Sequence, residues 1–160
     1  MTVSCNSAER PSPPDSAAGS AYRARVATPE NSTPGGTQRG EFVDGDERSS
    51  WMLTTTREGG ISIEDEARFG DDGQANRVFT FNAAGTLLRA TEQRTGTAQS
   101  AGNTSPALVR TELIIDFTVT PPTATKMVDD VRRTVEPYEI ENIKRRGDVL
   151  LQQARRSSPR

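Results

Sequence analysis

The chain has no histidine, and Cys5 is its only cysteine. The first absence removes imidazole acid–base catalysis and imidazole metal ligation. The second removes an internal disulfide and every cysteine-based metal spacing. There is no leucine before Leu53 and no isoleucine before Ile61. No stretch approaches the roughly 18–20 apolar residues of a membrane-spanning helix; the most apolar run is Leu113-Ile114-Ile115. Phosphate loops, dinucleotide fingerprints and nucleophile-elbow serines are missing too. The sequence therefore predicts no catalytic residue, no cofactor-binding residue and no metal site.

What is present divides in two. Residues 1–49 are mostly small and polar, and they lack the apolar surface that offsets the entropy of ordering. They read as a disordered tether, stiffened by Pro11, Pro13, Pro14, Pro29 and Pro34 and loosened by Gly19, Gly35, Gly36 and Gly40. Residues 50–156 hold every leucine and isoleucine and read as one modest domain, with a short tail at 157–160. The formal net charge of −2 gives no sign of a nucleic-acid partner. Within that total, acidic residues outnumber basic ones 11 to 5 over 41–92, and basic outnumber acidic 9 to 6 over 126–160.

The N-terminus carries a resemblance. Thr2-Val3-Ser4-Cys5 resembles the end of a bacterial lipoprotein signal, where small residues precede the cysteine that receives lipid. The resemblance implies lipid attachment at Cys5, a signal segment ahead of Met1 and an extracytoplasmic address on the periplasmic face of a bacterial membrane. A tether of this composition would let a folded domain stand off the bilayer. Within it, Tyr22-Arg23-Ala24-Arg25-Val26 is a stickier patch and a candidate partner contact at Tyr22.

The folded part alternates in strand fashion. Expected strands run over 50–57, 61–69, 76–81, 86–95 and 107–119, separated by turns at Glu58-Gly59-Gly60, Gly70-Asp71-Asp72-Gly73 and Asn82-Ala83-Ala84-Gly85. A pattern recurs once with a period of 12, as Phe69-x3-Gly73-x3-Arg77 and Phe81-x3-Gly85-x3-Arg89. It reads as two successive hairpins of a meander, because a repeat array needs about three copies or more. Met127, Val128, Val131 and Val135 fit a short helix, with a strand left open. Pro137 suits a helix first turn, and Ile140, Ile143, Gly147, Leu150 and Ala154 then form one stripe, with Gly147 placed for close approach to the sheet. The expected fold is α+β: an antiparallel meander of about five strands packed on a C-terminal helix.

Only carboxylates remain as chemistry-bearing side chains. Glu64 and Glu66 read as a solvated strand face, and Asp71 and Asp72 as turn residues. Asp65 is different, because alternation puts it on the apolar face, where an unpaired carboxylate is costly. It lies near an edge, pairs with Arg57 or Arg89, or marks a polar pocket. Lys144-Arg145-Arg146 and Arg132-Arg133 form a basic patch of a kind that meets anionic headgroups, but interspersed acids make it read as an ordinary solvated helix face. Trp51 opens the domain as a core residue or a partner contact.

Tether, small domain and missing catalytic groups point to a non-enzymatic accessory or interaction module, a subunit of a larger membrane complex with a protein partner at the cell envelope. One alternative is a carrier or sensor with an apolar pocket between sheet and helix. A carboxylate-based hydrolase is the other, and needs two acids converging on a cleft.

Overall fold

The computed structural model describes residues 35–70, 73–98 and 105–157. They form eight strands and one helix: β1 (Gly35–Asp44), β2 (Glu47–Thr55), β3 (Ile61–Phe69), β4 (Gly73–Phe81), β5 (Leu87–Ala98), β6 (Ala107–Asp116), β7 (Thr123–Val128), β8 (Val131–Arg133) and α1 (Pro137–Ser157). The strands make a single antiparallel sheet in sequence order, so every pairing joins chain neighbours. The architecture is the α+β meander with a C-terminal helix expected from the alternation, with eight strands in place of about five.

The turns show why the chain reverses where it does. Two at the same end of the sheet are built alike. In Thr56–Gly60 the Thr56 amide donates to the Gly60 carbonyl, the Gly59 amide to the Thr56 carbonyl, and the Gly60 amide to Thr56 Oγ1. In Asn82–Thr86 the Asn82, Gly85 and Thr86 amides make the same three bonds, the last to Asn82 Oδ1. Gly59 and Gly85 take positive φ at equivalent places, which glycine adopts at little cost. At β3–β4 the Phe69 ring lies over Gly73, where a Cβ would come within 2.2 Å of it.

Three boundaries differ from the sequence expectation. The sheet begins at Gly35, inside the stretch expected as tether, and residues 35–49 supply β1 and the start of β2. β1 carries few apolar residues because Gly40 faces Trp51 in the register and the indole lies where a Gly40 side chain would be. Trp51 thus supplies the bulk for both strands. Residues 127–133, expected as a short helix with a strand left open, form the β7–β8 hairpin. Asp129 and Asp130 take φ of 48° and 64°, the left-handed pair a two-residue hairpin turn needs. The strand expected over 107–119 stops at Asp116, whose Oδ1 accepts the Thr118 amide and hydroxyl and turns the chain away.

One face of the sheet, here the inner face, holds the core. Leu53, Ile63, Phe79, Ala90 and Ile115 stand in one cross-strand row and are buried. Helix α1 covers this row with Ile143, Leu150, Leu151 and Ala154. Gly147 meets the sheet directly: a Cβ there would lie 2.7 Å from the Phe79 ring. The helix starts at Pro137, and Glu139 reaches back to accept the Glu136 amide at 2.9 Å, satisfying a donor that the first turn leaves open.

Candidate functional site: an ion-paired cleft between sheet and helix

Next to the apolar row runs a cross-strand row of Trp51, Asp65, Arg77, Glu92 and Leu113. Three neighbouring strands thus place acid, base and acid side by side on the inner face. Arg77 Nη1 is 3.1 Å from Asp65 Oδ2, and its Nε is 2.6 Å from Glu92 Oε2. Glu47, at the start of β2, accepts from Arg77 Nη1 at 2.8 Å. Helix α1 lowers Arg146 into the same group, with Nε and Nη2 3.1 and 3.2 Å from the two Asp65 oxygens. Arg146 Nη2 also donates to Ser49 Oγ at 2.6 Å and lies 2.9 Å from Glu47 Oε1. Phe42 of β1 closes the stack, its ring centroid 4.0 Å from the Arg146 guanidinium.

Asp65 lies fully buried beneath this group, with partners other than those expected. The Asp65 side chain is 0% exposed. Of the bases weighed for it, Arg57 lies in the β2–β3 turn and Arg89 stands opposite Asp116. The true partners are Arg77, its cross-strand neighbour, and Arg146, 81 positions away. Trp51, weighed as a partner contact, is 3% exposed and belongs to the core. Its Nε1 is buried with no hydrogen-bond acceptor among the described residues. The basic patch expected over 144–146 is not one surface, since Arg146 points into the cluster. Cys5 and Tyr22 lie outside the described residues.

Glu47, Arg77, Glu92 and Arg146 of this cluster floor a cleft of about 480 Å³ at the end of the inner face where α1 begins. Its rim carries Phe42, Tyr138 and Val149, with Tyr138 64% exposed. Arg94 and Arg145 stand at the mouth, and Arg145 donates to Asn142 Oδ1. A second concavity of about 410 Å³ continues along the face, over Phe69, Gly73, Gly96 and Val109. Arg94 lines both and sits 4.0 Å above the Phe69 ring.

Two groups of the floor, Glu47 and Arg77, are held in their charged forms. Burial pushes the Glu47 carboxyl up, but the Arg77 hydrogen bond and the Arg77 and Arg146 charges outweigh it and hold it below the ordinary value of 4.5. Burial pulls Arg77 down, and its bonds to Glu47 and Glu92 more than reverse that. Glu139 follows the same pattern: burial raises it, while the bond from Lys126 at 2.6 Å and that from the Glu136 amide bring it below 4.5. Among the described residues no cluster of side chains has the makings of a metal site.

Glu47 and Glu92 were not singled out from the sequence, and Arg77 and Arg146 were named only in a recurring turn pattern and a surface basic patch, although a signal was there. Arg77 shares parity with Ala75, Phe79 and Phe81, and Arg146 lies one turn from Ile143 and Leu150. Each breaks an apolar stripe as Asp65 does. Comparison with protein-family models, curated proteins and solved structures gives no match to this chain.

Proposed function

We propose that this domain is a non-enzymatic interaction module whose contact surface is the cleft end of the inner face. One observation carries the reading: every charge on the cleft floor is engaged by another, while Tyr138 and Val149 on the rim are left to solvent. A paired floor with an exposed apolar rim suits docking. Bound side chains bury the rim, and the floor rejects groups that fail to match its hydrogen bonds. The occupant we assign is a segment of a protein partner at the cell envelope, and lipid attachment at Cys5 would hold the domain there.

Two other readings fit this geometry less well. A hydrolase of the two-carboxylate kind needs one acid that keeps its proton, whereas Glu47 is held ionised by Arg77 and Arg146. An apolar carrier needs space between sheet and helix, and that row is filled by Phe79, Gly147, Leu150 and Ala154.

The test is site-specific photocrosslinking in the native host. A crosslinking side chain at position 138 is expected to give one discrete protein adduct. The same group at Thr80, exposed on the opposite sheet face, is expected to give none. A ladder of unrelated adducts from both positions, or none from 138, overturns the reading.

A further inference from the structure

The sheet face away from α1, the outer face, carries its charges in rows. One row reads Val43, Arg48, Arg68, Gln74, Thr95 and Arg110 from β1 to β6. Arg48 and Arg68 are direct cross-strand neighbours, both exposed. Like charges so placed oppose folding. The next row along the strands offers Glu41, Glu66 and Glu112. Even so, none of the three arginines forms an ion pair among the described residues. Asp129, at the far end of the row, directs its carboxylate to the Arg110 amide at 2.9 Å. Two aliphatic side chains flank the arginines in the open: Val43 is 64% exposed and Leu108 70% exposed.

We infer that this end of the outer face is a peripheral docking surface for an anionic lipid bilayer. Guanidinium groups fork onto phosphate oxygens, and exposed aliphatic side chains beside them enter the headgroup boundary. Charge complementarity assigns the occupant: three bases without ion pairs among the described residues, with Glu41, Glu66 and Glu112 in the next row and Asp46 in the β1–β2 turn marking where the footprint stops. The inference rests on the membrane address proposed above but not on the lipid at Cys5. It also adds an orientation. A domain held only by a tether turns freely, whereas one lying on its outer face presents the cleft away from the bilayer, toward a partner.

The full chain, produced without lipid, is mixed with vesicles of phosphatidylglycerol and phosphatidylcholine in equal parts and sedimented. Binding is expected at low salt, and loss of binding on vesicles of phosphatidylcholine alone or in about 0.5 M salt. Each basic residue near an anionic surface contributes about fivefold, so R48Q/R68Q is expected to weaken binding about 25-fold with an unchanged circular dichroism spectrum. E66Q/E112Q is expected to strengthen it. Failure to sediment with anionic vesicles, or equal binding by R48Q/R68Q, overturns the inference. So does displacement by millimolar inorganic phosphate at unchanged ionic strength, which would identify a small oxyanion site instead. None of these outcomes bears on the adduct formed from position 138.

Discussion

Asp65 accepts from a strand arginine and a helix arginine together at Oδ2 and from the helix arginine again at Oδ1, out of reach of water. With Asp65 neutralised, Glu47 and Glu92 still face both arginines, so the loss is that of buried hydrogen-bond acceptors, about 1–3 kcal/mol. D65N is therefore expected to lower the unfolding free energy by that amount in urea titrations. Removing both ends is expected to cost less than the sum: a D65N/R146M double-mutant cycle should return a coupling of about 0.5–3 kcal/mol, and strict additivity would mean that the two groups act separately. Gly147 sets two effects against each other. Alanine gains about 1 kcal/mol of helix propensity, but its Cβ meets the Phe79 ring at 2.7 Å. Overpacking of this kind costs about 1–3 kcal/mol. G147A is expected to be neutral to destabilising by up to about 2 kcal/mol, and F79L to restore part of the loss; a stabilised G147A would show that α1 can shift. At this scale the sequence put Asp65 on the apolar face and offered Arg57 and Arg89 for it, where the structure has Arg77 and Arg146. Alternation tells which face a charge is on, but which arginine reaches it depends on register and on where the helix lies.

Strands β2 to β6 and helix α1 were legible because their apolar residues recur with one clear period and their turns carry glycine or asparagine. β1 was hidden by a division of labour across strands, with Gly40 supplying space and Trp51 filling it. The β7–β8 hairpin was hidden by its turn. Asp129 and Asp130 have left-handed backbones without glycine, and the valines around them happen to fall at helical intervals. That turn is improvable. D130G removes the side chain from a strained position while Asp129 keeps its bond to the Arg110 amide. A gain of about 0.5–1 kcal/mol is expected, read as a higher urea midpoint. No gain would mean that the Asp130 side chain makes a compensating contact.

For the whole molecule, the depressed carboxyls set the acid limit. Glu47 and Glu139 have folded pKa values below their ordinary 4.5. Their contribution is present above that value and is lost as pH falls through the lower folded values. Stability is therefore expected to hold at neutral pH and to decline below about pH 4.5, with E47Q less stable at neutral pH and flatter on the acid side. An acid limb of equal slope in E47Q would assign the loss to other groups. The meander has a further consequence, for synthesis. Every strand pairs with its chain neighbour, so the sheet can zip up as it leaves the ribosome. The helix comes after all eight strands, and its ties run far back: Arg146 to Ser49 across 97 positions, Gln153 to the Glu41 carbonyl across 112. At elongation rates of about 5–20 residues per second, the finished sheet waits seconds for its cover. Through that interval Phe79 and Ile63 are uncovered, and Asp65 keeps Arg77 but lacks Arg146. A chain truncated before Pro137 stays permanently in that state, a natural substrate for chaperones and proteases.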